Sequence, residues 1–254
     1  MSPAFTIITV VRNDPRVAAA AASVLSQEVD GGLEYIVVDG GSTDGTLPAL
    51  APFRGRIDRL VSEPDRGIYD AMNKGLALAT GDVVGFLHAD DVYPHPGVLA
   101  KVARAFQDPA IEACHGDLLM LAPGPDRRVL RGWRSSPFKP GAFRYGWMPA
   151  HPTFFVRRSL YARLGGFDLG YAIAADFELM LRFLERHRVV STYLPEVLVE
   201  MRAGGASNGS LARIASANAE CHRAFAANGL APSLLFVPCK LARHALQVFV
   251  RPSS

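Results

Sequence analysis

The sequence predicts an α/β fold, a mainly parallel, Rossmann-like sheet flanked by helices, with a helical appendage at the C-terminus. Two observations carry this. Short runs rich in Val, Ile and Leu alternate with amphipathic helical segments through the first half, the pattern of parallel strands joined by crossover helices. At 254 residues, 49% of them hydrophobic, the chain also has material for one large core.

The first strand is expected at residues 5–11, a run too short and too poor in flanking positive charge to be a signal peptide. Asp14-Pro15 follows, a capping residue with proline at the first helical position, and Val17, Ala21, Val24 and Leu25 then recur at helical spacing. Further strands are expected at 34–39, 57–62 and 83–88. The segment 68–79 reads as a helix with Ile68, Met72, Leu76 and Ala79 on one face, and 96–106 as another with Leu99, Val102, Ala103 and Phe106. From 123 to 152 periodicity gives way to Pro, Gly, Arg and aromatic residues, an irregular and substrate-facing connection. Helices at 158–164 and 175–187, a strand at 189–194 and a helix at 211–228 follow.

The formal net charge of +3 is spread along the chain, so no nucleic-acid partner is expected. Cys114, Cys221 and Cys239 are far apart and in no metal-like spacing, which reads as reduced thiols of a cytoplasmic protein.

In an open α/β sheet, ligands bind beyond the C-terminal ends of the strands. Those ends are acidic here: Asp39 closes the second run, Glu63-Pro64-Asp65-Arg66-Gly67 follows the third, and His88-Ala89-Asp90-Asp91 follows the fourth. Asp44, in an Asp-Gly turn, reads as the cap of a short helix. Asp39, at the end of a buried strand, is placed to accept a hydrogen bond from a nucleobase or ribose. Adjacent carboxylates such as Asp90 and Asp91 repel unless a cation neutralises them. Mg²⁺ or Mn²⁺, held by one or two carboxylates and the oxygens of a diphosphate, meets that need. The alternative is that Asp91 only caps the segment leading to Pro94 and Pro96.

Val37-Val38-Asp39-Gly40-Gly41-Ser42-Thr43-Asp44-Gly45-Thr46, then Glu63 to Gly75, then Gly81-Asp82 and His88-Ala89-Asp90-Asp91, resemble glycosyltransferase family two in order and spacing. The resemblance covers about residues 5–207 and is nearest in flavour to bacterial enzymes that build surface polysaccharides. It implies a GT-A fold and an inverting transfer from a nucleoside diphosphate sugar, with a UDP-sugar favoured. It also implies a divalent metal, Mn²⁺ or Mg²⁺, at an Asp-x-Asp type motif. Carried over by position, Thr9, Asn13 and Asp39 would line the nucleoside pocket, and Asp65, Asn73 and Lys74 would sit beside the ribose, diphosphate or sugar. Asp90 would bind the metal, with Asp91 second in line, and His88, which replaces the more frequent acid, would donate to a phosphate. Ala174-Ala175-Asp176-Phe177-Glu178 resembles the segment that supplies the base, placing Asp176 in that role with Glu178 in reserve; the plainer reading of Asp176 is an N-cap. His151 would contact the acceptor. Met201 to Ser207 reads as a mobile loop whose Arg202 reaches the diphosphate. The organisation implied is a catalytic domain over 1–207, its nucleotide-sugar half ending near 110 and its acceptor half following, with a helical tail over 208–254.

The acceptor implied is a saccharide or a lipid-linked sugar. In the tail, Lys240, Arg243, His244 and Gln247 share one helical face between apolar residues. This suits an interfacial helix on the inner face of the cell membrane, and equally a helix packed on the domain or a homodimer contact. Among rivals, a haloacid-type phosphatase needs a second Asp two positions after Asp39, where Gly41 stands. A glycoside hydrolase has no use for the nucleotide-pocket residues. A non-catalytic nucleotide-sugar binder would keep the donor site without turnover.

Overall fold

A computed structural model describes residues 2–124, 128–203 and 211–247. The chain runs β1 (Phe5–Val11), α1 (Val17–Leu25), β2 (Leu33–Asp39), α2 (Thr46–Leu50), β3 (Arg59–Ser62) and α3 (Ile68–Leu78). It continues through β4 (Val83–Phe86), β5 (Asp91–Val92), α4 (Val98–Ala105), β6 (Ala113–Leu121), β7 (Val129–Trp133) and β8 (Phe155–Arg157). It ends with α5 (Arg158–Leu164), α6 (Ala175–Met180), β9 (Ser191–Arg202), α7 (Leu211–Ala227) and α8 (Phe236–Leu246).

These strands form one sheet in the order β3-β2-β1-β4-β8-β6-β9-β5, with β7 paired to β6. The block β3-β2-β1-β4 is all parallel, as expected from its Val- and Ile-rich runs. Beyond β4 the sheet is mixed: β8 lies antiparallel between β4 and β6, and β9 runs parallel to β6 and antiparallel to β5. Since β1 leads to β2 on one side and has β4 on the other, the topological switch point falls between β1 and β4.

Period-two alternation along β1 divides the core. Ile8 and Val10 face α3, α6 and the C-terminal helices, while Phe5, Ile7 and Val11 face α1 and α4. A Cβ on Gly75 of α3 would stand 2.4 Å from Ile8 Cγ2, so this glycine lets the helix lie directly on β1. Phe225 of α7 and Phe236 of α8 meet Phe177 edge-on at 5.6 and 5.9 Å, joining both tail helices to the core under Asp176. The domain boundary expected at 207 lies outside the described residues.

Several expectations are corrected. The first helix begins at Val17 rather than Pro15, because Asp14 Oδ1 accepts from the Arg16 backbone N–H at 3.0 Å in a preceding turn. Ile68 is 47% exposed, because the first turn of α3 overhangs the strand ends; Tyr69, Ala71, Met72 and Gly75 form the buried face. The 123–152 stretch contains β7, and β6 precedes it. The helix expected over 175–187 changes to π-helical turns at Leu181–Arg186. Met201 and Arg202 belong to β9, not to a loop, and 204–210 lie outside the described residues. As to the readings open for α8, Lys240, Arg243, His244 and Gln247 line a cavity against β7 and the 134–148 segment, with Gln247 buried and Arg243 and His244 still exposed. Among the described residues no helix is long and apolar enough to cross a membrane.

Candidate active site

The ends of β1 and β4 open into a cleft of about 450 Å³ at the switch point. Arg12, Asn13, Asp14 and Arg16 wall one side, Asp65, Gly67 and Ile68 another, and His88, Ala89 and Asp90 close it. Asn13 adopts a left-handed conformation with φ 50°, which Asn tolerates better than most residues. Its Oδ1 accepts from the Thr43 N–H at 2.9 Å and its own N–H donates to Ser42 Oγ at 2.8 Å, locking the β1 end to the loop after β2. Asp65 Oδ1 accepts from the Gly67 N–H at 2.8 Å. Its other oxygen fills the space a Cβ on Gly40 would take, 2.1 Å away, so Gly40 is what lets Asp65 lean into the cleft.

Asp39 is fully buried behind this wall. Its Oδ2 accepts from the Ser42 N–H at 3.0 Å and from Ser62 Oγ at 2.6 Å, and its Oδ1 accepts from Ser42 Oγ. Burial works to raise its pKa, but these serine hydrogen bonds outweigh it and hold the carboxyl below its ordinary value. The Gly41 backbone N–H adds a further hydrogen bond to this carboxylate.

Asp90 borders the cleft, with Arg16 Nη2 at 3.8 Å from its Oδ2. Arg16 also holds Asp14 at 2.5 Å, keeping that carboxyl below its usual range. Arg202, from the end of β9, shares a smaller adjoining pocket with Arg16 and Asp90, and its N–H donates to the Asp90 carbonyl at 3.2 Å. Arg202 therefore reaches the expected neighbourhood from a strand.

A second pocket, of about 250 Å³, adjoins the cleft; His88 and Ile68 line both. Asp176, His151, Tyr69, Arg131, Trp133 and Met148 are among its other walls. The Tyr69 hydroxyl donates to the Ile173 carbonyl at 2.6 Å and stands 3.3 Å from Asp176 Oδ1. Burial raises the Asp176 pKa, only partly opposed by the hydrogen bonds from the Phe177 N–H and Tyr69. The His88 and His151 rings lie 5.5 Å apart, and burial first of all lowers each to about 4, so both are neutral imidazoles at pH 7. A neutral His88 offers a phosphate a hydrogen bond but no charge.

Other expected site residues stand elsewhere. The Thr9 hydroxyl is buried and accepts from the Tyr35 hydroxyl at 3.1 Å, on the α1 side of the sheet. Asn73 spends its amide on Phe167, donating to its carbonyl at 2.8 Å and accepting from its N–H at 2.9 Å. Lys74 pairs with Glu63 at 2.7 Å and donates to the Pro64 carbonyl at 2.9 Å. Neither lines the cleft; Asn73 ties α3 to the segment before Asp176, and Lys74 holds the loop that presents Asp65. Asp91 is completely buried, both oxygens without a hydrogen-bond partner, and burial together with Asp90 raises its pKa well above the ordinary value. It is absent from the lining of the cleft, which Asp90 borders. Glu178 is consumed by Arg182 at 3.0 Å and by Asn228 at 3.1 Å. Asp44 does cap: its Oδ1 accepts from the Thr46 N–H at 2.9 Å.

Sequence reasoning missed Arg16, whose only signal was its position one turn past the β1 end, and Glu220 of α7. The Glu220 carboxylate accepts from the N–H groups of Ala172, Ile173 and Ala174 at 3.0, 2.9 and 2.8 Å, fixing the turn that delivers Asp176. Desolvation opposes its ionisation, yet these bonds leave its pKa lowered. Its stabilisation is therefore present above the ordinary glutamate pKa and lost as pH falls through the depressed one. Glu220→Ala is expected to lower unfolding free energy by about 2–4 kcal/mol, read by urea denaturation at neutral pH, with the loss shrinking in acid.

Solved structures supply the class. A mannosyltransferase, PcManGT from Pyrobaculum calidifontis, solved in complex with GDP-Man and Mn²⁺, superposes with a TM-score of 0.60 at 23% identity, over 99% of this chain and 82% of that one. S. aureus TarS 1-349 in complex with UDP-GlcNAc gives 0.64 at 17% identity, over 94% and 72%. The architecture is thus the GT-A glycosyltransferase fold. Sequence then gives the family: residues 6–164 match the family model described as Glycosyl transferase family 2, and the chain belongs to that family. It is 37% identical over 185 residues to an uncharacterized glycosyltransferase of Mycobacterium tuberculosis, covering 71% of this chain and 69% of that protein. It is 32% identical over 219 residues to a PGL/p-HBAD biosynthesis glycosyltransferase of Mycobacterium bovis, covering 82% and 80%.

Proposed function

We propose that this glycosyltransferase carries out inverting, metal-dependent transfer from a nucleoside diphosphate sugar to a hydroxyl of a saccharide or lipid-linked acceptor, with Asp176 as base. The observation that carries the reading is the pair of connected pockets. One is polar and bordered by Asp65 and Asp90; the other holds a carboxylate with a raised pKa, and His88 stands between them. The nucleotide occupies the first, its ribose meeting Asp65, while Asp39 acts from behind by holding the loop after β2 through Ser42 and Ser62. A UDP-sugar is the first donor to test. The domain scheme follows: strands β1 to β4 carry the donor, and the chain from β6 onward carries the acceptor.

In the second pocket the acceptor hydroxyl gives its proton to Asp176 as its oxygen bonds to the anomeric carbon. The bond from that carbon to the diphosphate oxygen breaks on the opposite face, and the nucleoside diphosphate leaves with the electron pair. The raised pKa makes Asp176 a stronger base than an exposed carboxylate, and the Tyr69 hydroxyl orients it. Arg16 and Arg202 stand on the side where the diphosphate charge grows.

The donor set fits a hard divalent cation. Among the described residues no three His, Cys, Asp or Glu side chains gather into a complete cage. One carboxylate at a cleft, completed by diphosphate oxygens and water, is how Mg²⁺ or Mn²⁺ binds in such sites. Asp90 would hold it, and when bound it supplies positive charge that stabilises the leaving diphosphate.

The test is a thermal-shift panel of nucleotide sugars with and without Mn²⁺. A donor at 100 times its Kd stabilises the fold by about 2.7 kcal/mol, a readily measured rise in Tm. No shift with any donor would remove the reading. Arg202→Ala is expected to weaken donor affinity and slow turnover by about tenfold, consistent with one charge-assisted contact to phosphate; unchanged kinetics would take Arg202 out of the site.

A further inference from the structure

Between α8 and the 133–148 segment lies a cavity of about 280 Å³ that the transfer described above does not use. Arg134, Lys240 and Arg243 line it, and no Asp or Glu does. Lys240 Nζ donates to Asn218 Oδ1 at 3.0 Å and Arg243 Nε to the Tyr145 carbonyl at 3.3 Å; among the described residues neither has a carboxylate partner. His244, also in the lining, has its pKa lowered by burial and by its Arg131 and Lys240 neighbours. Two buried atoms of the lining, Ser135 Oγ and Gln247 Oε1, have no hydrogen-bond partner. Lys240 and Arg243, two cations without a carboxylate partner, beside the orphaned Ser135 hydroxyl, which can donate, form a receptor for a group with several anionic oxygens. Arg134, at the same rim, stands beside Asp117.

The position gives the anion a context. The cavity shares Trp133 and Met148 with the Asp176 pocket, and Phe177, next to Asp176 in sequence, is part of its wall. On the outer side, Leu246 at its rim and Leu241 are 63% and 56% exposed. From the base outward there are thus a pocket sized for a sugar, a cationic cavity and an apolar edge. We propose that the cavity binds the phosphate ester of the acceptor, whose sugar hydroxyl meets Asp176 and whose alkyl chain runs over Leu246 and Leu241. This rests on the Asp176 pocket being the acceptor site.

Both tryptophans of the chain, Trp133 and Trp147, line this cavity, so intrinsic fluorescence reads its occupancy. The probes are decyl phosphate, decyl glucoside and inorganic phosphate, each kept below any micelle concentration. Decyl phosphate is expected to give a saturable change at a Kd at least tenfold below those of the other two. Lys240→Met with Arg243→Gln, which keeps most of both stems, should weaken it at least tenfold while leaving the nucleotide-sugar Tm shift at its wild-type size. Should that variant melt early, Arg134→Gln at an exposed position replaces it, with a loss of at least threefold expected. Equal affinity for decyl glucoside overturns the phosphate assignment. Inorganic phosphate binding as tightly overturns the alkyl chain's part, and indifference to the substitutions overturns the site. Saturable decyl phosphate binding by a protein that shows no donor shift at all overturns the link to an acceptor and marks failure of the glycosyl-transfer reading rather than of the cavity.

Discussion

Asp176→Asn is expected to lower kcat by about 10²- to 10⁴-fold, the range for removing a positioned general base, while donor affinity stays within about twofold. The substitution keeps the shape of the side chain and the Tyr69 contact, and the donor cleft lies beyond His88, so binding has no reason to change. Stability should rise slightly. A carboxyl whose folded-state pKa is raised favours the fold below its unfolded pKa and disfavours it above, and asparagine removes that penalty at neutral pH. The wild-type pH profile supplies an independent reading. Tyr69 and His88 face Asp176, and Arg131 and His151 share its pocket. Burial raises the Asp176 pKa in these surroundings, so the acid limb of kcat should fall as pH drops through a midpoint above the ordinary aspartate value. A protein that binds donors without turning them over would show wild-type behaviour in Asp176→Asn, so the same measurement separates an enzyme from a binder.

The parallel block was legible because each of its strands is an apolar run bounded by turn residues, and buried parallel strands are read most easily that way. β6 was not, because Gly116 and Asp117 interrupt it. Gly116 sits where a Cβ would meet Leu198 Cγ at 2.5 Å, beside a register shift with β9, and neither the contact nor the shift leaves a local mark. In the site, the order of motifs brought Asn13, Asp65, Asp90, His151 and Asp176 to the two pockets and Arg202 to the smaller one adjoining them, while the direction of side chains did not follow from order. Thr9 illustrates this. It shares strand parity with Ile7, whose face packs on α1 and α4, so alternation alone was enough to turn it from the cleft. Asn73 and Lys74 are different: their partners, Phe167 and Glu63, are set by tertiary contacts across 94 residues in one case and a loop in the other. Glu220 could not be read at all, since an acid in the middle of a helix looks like a solvated face until the turn above it is known.

Asp90 and Asp91, identical and adjacent, are expected to respond oppositely to the same substitution. Asp90→Asn should remove most of the Mn²⁺-dependent part of the donor-induced Tm shift and lower kcat/KM by roughly 10²-fold or more, because of the other carboxylates at the cleft Asp14 is paired with Arg16 and Asp65 accepts from the Gly67 N–H. Asp91→Asn should leave the Mn²⁺ response within about twofold. Its side chain is fully buried, β5 pairs with β9 through Asp91 and Met201, and burial together with Asp90 raises its pKa well above the ordinary value. The effect of Asp91→Asn should appear in unfolding instead, at about 1–3 kcal/mol, because the amide brings two buried donors where the lining offers no acceptor. Asp90 sits in the turn before β5 and borders the cleft, whereas Asp91, the first residue of β5, is fully buried. Loss of the Mn²⁺ response in Asp91→Asn rather than in Asp90→Asn would overturn the assignment of the cation to Asp90. Metal titrations of both variants, run beside their denaturation curves, decide which carboxylate holds the cation and which holds the fold.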